Sequence, residues 1–142
     1  MRIKYLFILL MFSFSVSYGQ EKFSVIANDV GFEKSSPQEI KSVFKGKFTF
    51  WKNNKKVILV LPSSKNPISN EVASFYYQTT TDGVKKYWLS LVFQGRSTSP
   101  VFLDSDKEVY EFIQKNEGAI GLISTEFLKN VEEKYKLLIV KQ

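Results

Sequence analysis

The sequence predicts an α/β protein, a three-layer αβα sandwich built on a mostly parallel sheet. Three observations lead there. Short apolar runs alternate with stretches of helical periodicity along the chain, the order expected of parallel strands joined by crossover helices. The run VILVLP (Val57–Pro62) is apolar almost without a break, as in a strand covered on both faces. Helix boundaries are written plainly. Ser36 with Glu39, and Ser105 with Glu108, read as capping boxes, while Gly46 and Gly95 stand where helices stop.

The elements follow in order. FSVIAND (Phe23–Asp29) reads as a strand, β-branched and then polar. Pro37–Lys45 reads as a short helix, with Pro37 at its first position and Ile40, Val43 and Phe44 on one face. Val57–Pro62 is the buried strand. Asn70–Gln78 reads as a helix with Val72, Phe75 and Tyr76 on one side, TTTDG as a break, and Val84–Gly95 as a second helix carrying Tyr87, Trp88, Leu91 and Val92. Val101–Leu103 and Ala119–Ser124 read as strands on either side of a helix whose apolar face is Val109, Phe112 and Ile113. TEFLKNVEEKY fits a short helix or a charged loop, and Lys136–Val140 closes the chain as a strand.

Residues 1–20 carry Arg2 and Lys4, then an apolar run from Tyr5 to about Val16, then Ser17 and Gly19. That is the layout of a secretory signal peptide, and the run is too short for a typical membrane span. The expectation is a cleaved leader over 1–20 and a single domain over 21–142, exported to a bacterial periplasm or beyond, with no stable membrane insertion after cleavage. The chain has no His and no Cys. Ser-His-Asp and Cys-His catalysis, disulfides, and His- or Cys-built metal and haem sites are excluded in their usual forms. The acidic residues are scattered, so the chain reads as no enzyme, with no cofactor and no metal. Net charge is +6, and without Arg2 and Lys4 it is +4, from 18 basic and 14 acidic residues. Lys41, Lys45, Lys47, Lys52, Lys55 and Lys56 crowd one acid-free stretch. Such a stretch suits an anionic ligand or a solvated face. With Arg96 the only arginine after the leader, nucleic acid is not expected as a partner.

Three stretches carry a resemblance. IKSVFKGKFTFW (Ile40–Trp51) is a helix ending in Phe-x-Gly and followed by Trp. YWLSLVFQGRSTSP (Tyr87–Pro100) is a Trp-bearing helix ending in Phe-x-Gly. VYEFIQKNEGAIGLIS (Val109–Ser124) is a helix leading into Gly-Ala-Ile-Gly. In this order and spacing they resemble the phosphate-type periplasmic substrate-binding proteins of ABC transporters, which have the class-II binding-protein fold. The resemblance covers most of Phe23–Ser124. It implies one lobe of a protein whose full-length members close two lobes on an oxyanion. It implies a ligand turn in LPSSKNPISNEVASF (Leu61–Phe75). There Ser69 matches a hydroxyl position, and Asn70 replaces an arginine that often follows.

The candidate ligand residues are therefore Ser63, Ser64, Ser69 and Asn70, at a strand-to-helix turn of the kind that holds anions, with Arg96 and Ser97 on a neighbouring loop. Ser69 equally fits a helix cap. The expected function is an exported, non-enzymatic binding protein for a phosphate-like oxyanion. The alternative is a scaffold or interaction module that has lost the ligand, as a homodimer or with a partner protein completing the cleft.

Overall fold

The computed structural model describes residues 22–139; the expected leader and Val140 lie outside them. The elements are β1 (Phe23–Ala27), β2 (Lys34–Ser35), α1 (Pro37–Phe44), β3 (Ile58–Pro62), α2 (Ser69–Val72), a π-helical turn (Ala73–Tyr77), α3 (Thr81–Phe93), β4 (Val101–Leu103), α4 (Asp106–Lys115), β5 (Ala119–Ser124), two 3-10 turns (Thr125–Asn130 and Glu133–Tyr135) and β6 (Leu138–Ile139). The main sheet has the order β1-β5-β3-β4. β3 runs parallel to both β4 and β5, while β1 runs antiparallel to β5. β2 and β6 form a separate parallel pair.

The near-continuous apolar strands are covered on both faces, as their composition requires. Leu59, Leu61, Ile120 and Leu122 point into a layer with Ile40, Phe44, Val84 and Trp88 of α1 and α3. The alternate residues Val60, Ala119 and Ile123 meet Val109 and Ile113 of α4, with Val131 and Tyr135 of the 3-10 region. These two apolar layers form the core of the described residues.

The capping box of α1 forms as written. Ser36 Oγ accepts from Glu39 N–H, and Ser36 N–H donates to Glu39 Oε2, both at 3.2 Å. At α4 only half of the box forms. Ser105 Oγ accepts from Glu108 N–H, but the Glu108 carboxylate accepts from Asp104 N–H at 2.9 Å.

Two glycine–tryptophan contacts tie the three sequence stretches together. Gly46 has φ +77°, and a Cβ there would sit 2.7 Å from the Trp88 ring. Trp88 Nε1 donates to Tyr77 Oη (3.1 Å), whose hydroxyl donates to the Phe44 carbonyl (2.5 Å). Burial pushes the Tyr77 phenol well above its ordinary pKa, with the Trp88 hydrogen bond partly offsetting. Trp51 Nε1 donates to the Gly118 carbonyl at 2.8 Å. Gly118 has φ +84°, and a Cβ there would run into the Lys56 carbonyl oxygen.

Two helices differ from the sequence reading. The expected single helix over 70–78 is one α-turn followed by a π-turn that ends at Gln78 in the left-handed region. The wider turn carries both Tyr76 and Tyr77 into the core. α3 begins at Thr81, ahead of the expected Val84, because Thr80 Oγ1 caps it by accepting from Gly83 N–H at 3.2 Å. The ambiguous TEFLKNVEEKY becomes the two 3-10 turns.

Candidate functional site

Ligand-binding groups in a parallel sheet gather beyond the carboxyl ends of the strands. Here that end carries the turn after β3 and the loop from Asp104 into α4. The turn closes largely on itself. Asn66 is 2% exposed. Its Oδ1 accepts from Ile68 N–H (3.2 Å), its Nδ2 donates to the Leu103 carbonyl (3.3 Å), and its own carbonyl accepts from Ser69 N–H (3.0 Å). This Asx arrangement fixes the turn with side-chain bonds. Ser63 Oγ donates to Asp104 Oδ1 and accepts from Lys65 N–H, so its hydroxyl ties the two loops together.

Ser69 does not cap its helix. The cap position of α2 is Ile68, without a side-chain cap bond, and Ser69 is 5% exposed one residue inside. Ser69 borders a mostly apolar crevice with Ser64, Thr81 and Lys85, walled by Leu61, Val72 and Phe102. The crevice measures about 10 Å³, space for roughly one water molecule. It lies between the β3–α2 turn and the first turns of α3, whose N-terminus is a weakly positive end.

The other expected residues are elsewhere. Asn70 is exposed and opens on a different surface, beside Lys22, Glu71 and Phe75. Arg96 and Ser97 follow the end of α3. The thirteen residues of α3 span about 20 Å at 1.5 Å each, so the helix carries them from the carboxyl end of the strands to the amino end. There Ser97 borders a groove of about 280 Å³ with Lys56, Phe48 and Trp88. Arg96 is exposed, and its Nη1 donates to Gln94 Oε1 at 3.4 Å. The structure thus keeps Ser64 and Ser69 together and separates Arg96 and Ser97 from them. It adds Thr81, which the sequence reading missed by starting α3 three residues late, and Lys85, which that reading placed in the helix without a ligand role. Thr80, a good cap residue ahead of Asp82, carried the missing signal.

The neighbouring helix start is acidic. Asp106 accepts from Ser124 Oγ (2.5 Å) and Ser124 N–H (3.0 Å), and the Glu108 carboxylate binds Asp104 N–H. These carboxylates fill the positive end of α4 and leave it closed to an anion. The basic stretch over 41–56 is partly committed as well. Lys55 pairs with Asp29 and Glu117, and those two bonds hold its ammonium above the ordinary lysine pKa. Lys45 lies over the Tyr77 and Tyr87 rings, 5.3 and 5.2 Å from their centroids. Desolvation, then Lys41 and Lys47, pull its pKa down. Among the described residues no cluster of three acidic side chains could hold a metal ion, and no helix is long and apolar enough to cross a membrane.

No family model matches the chain, and no curated protein does. Solved structures do. PstS of Borrelia burgdorferi superposes with a TM-score of 0.59 at 15% identity, over 83% of this chain and 47% of its own. A phosphate ABC transporter substrate-binding protein of Clostridium perfringens, solved with bound phosphate, gives 0.53 at 17% identity, over 82% of this chain and 44% of its own. The chain spans less than half the length of these proteins. At such identities the likeness is one of fold: this chain has the fold of a single lobe of a phosphate-type substrate-binding protein.

Proposed function

We propose that this chain is an exported, non-enzymatic binding module for a small oxyanion of the phosphate class, held as a half-site at the carboxyl end of β3. One observation carries the reading. Three hydroxyl-bearing residues, Ser64, Ser69 and Thr81, and Lys85 border one mostly apolar crevice near the N-terminus of a thirteen-residue helix. Hydroxyl donors, a cation and a helix dipole are the groups that recognise an oxyanion. A protein of the same fold, solved with bound phosphate, supports the ligand class. The crevice is too small to enclose phosphate, so the anion sits at its mouth, half-covered, and a second body completes the site. The leader-like residues 1–20 support export.

A thermal-shift screen with phosphate, sulfate and molybdate tests this, because a ligand of the native state raises Tm. Millimolar phosphate raises Tm in the parent chain and not in Lys85→Gln or Ser69→Ala. Equal shifts in parent and variants place the anion elsewhere; no shift with any oxyanion overturns the reading.

One observation favours a second reading. Ser63 and Asn66, the most polar part of the turn, are already bonded within the protein. On that reading the lobe is an interaction module without a ligand, and all three anions leave Tm unchanged.

A further inference from the structure

We infer that the outward face of α3 docks on an anionic phospholipid surface. Leu89 and Phe93 are 60% and 83% exposed, and Val92 beside them 40%. They are the three large apolar side chains that α3 turns away from the core, whereas Val84, Trp88 and Leu91 face inward. At about 100° per residue, Leu89 and Phe93 lie about 40° apart and form one ridge. Lys85 flanks the ridge on one side and Lys86 on the other, and both are exposed. No carboxylate among the described residues pairs with either lysine; the helix's one acid, Asp82, sits in its first turn. Arg96, whose Nη1 donates to Gln94 Oε1, adds a third cation just past the helix end.

An apolar ridge between flanking cations matches a lipid interface. Phe and Leu enter the acyl boundary, while the long cationic side chains reach the phosphate headgroups. The charge also argues against a second copy as the occupant. A two-fold contact would bring the lysines of both copies together. The three apolar side chains expose on the order of 300 Å² between them, well short of the roughly 800 Å² per partner in a stable dimer. This docking shares Lys85 with the anion crevice, and the Leu89, Phe93, Lys86 and Arg96 variants test it apart from that site.

The test uses the chain from Gln20 onward, which omits the apolar leader and retains the whole core. Vesicles of phosphatidylcholine, with and without 30% phosphatidylglycerol, are sedimented with the protein at low and at physiological salt. Binding is expected on the anionic vesicles, weaker by tenfold or more on neutral ones, and reduced by added salt. The double variant Leu89→Ser with Phe93→Ser loses at least tenfold. Lys86→Gln and Arg96→Gln each lose about fivefold. Circular dichroism and Tm confirm that the variants are folded, which surface changes on this face permit. Failure to bind anionic vesicles at low salt overturns the inference, as does binding that the double variant leaves unchanged. Light scattering closes the remaining route: a dimer that the double variant converts to monomer assigns the face to a second copy and also overturns it.

Discussion

The two ends of the parallel sheet are built by different means. At the amino end, shape governs. Gly46 lies beneath the Trp88 ring, Gly118 fits against the Lys56 backbone, and Trp51 bonds to the Gly118 carbonyl. At the carboxyl end, polar side chains govern. Ser63, Asn66, Asp104 and Asp106 tie loops to one another and to strand ends. The three stretches that carry the family resemblance map mostly to the first end; the ligand turn lies at the second. Likeness in those stretches therefore speaks for the scaffold, and ligand binding rests on the turn's own groups.

The contrast can be broken first where it is strongest. Trp88→Ala removes a buried indole and its bond to Tyr77, and should destabilise by about 3–5 kcal/mol in chemical denaturation. Gly118→Ala forces a left-handed backbone and a contact with the Lys56 carbonyl, with an expected cost of about 3 kcal/mol. At the other end, Asn66→Ala leaves Ile68 N–H without its side-chain partner and should cost about 1–3 kcal/mol. A loss larger than that of Trp88→Ala would reverse the ranking of the two ends.

A pH scan sharpens the amino end further. The Tyr77 phenol has its pKa raised in the folded state, so its contribution is fully present below the unfolded value of about 10 and is lost as pH climbs above it. Tm should fall from about pH 10 upward, and more steeply than in Tyr77→Phe. The smallest effect belongs to Lys85→Gln. Exposed and without a paired carboxylate among the described residues, it should shift stability by less than about 0.5 kcal/mol while abolishing the phosphate response. A large loss of stability would make Lys85 structural.

Much of the scaffold was legible because its signals are local. Ser36 and Glu39 form their box as written, Gly46 and Gly95 end their helices with positive φ, and the strand VILVLP is buried on both faces. The site was less legible because its signals are not local. That Arg96 stands at the far end of α3 from Ser69 follows from the length and start of that helix, and Thr80 sets the start. That Ser69 lies inside its helix instead of capping it depends on Asn66, whose side chain already bonds the Ile68 N–H. The π-turn at Ala73–Tyr77 answers to two tyrosines that must both be buried, which no single helical period encodes.

The most direct measurement is an amide NMR titration of the chain from Gln20 with inorganic phosphate, repeated with sulfate. Saturable shifts are expected at Ser64, Ser69, Thr81, Asp82 and Lys85, with Arg96–Ser99 unmoved. Shifts confined to Arg96–Ser99, or none at millimolar phosphate, would contradict an oxyanion site at the carboxyl end of β3.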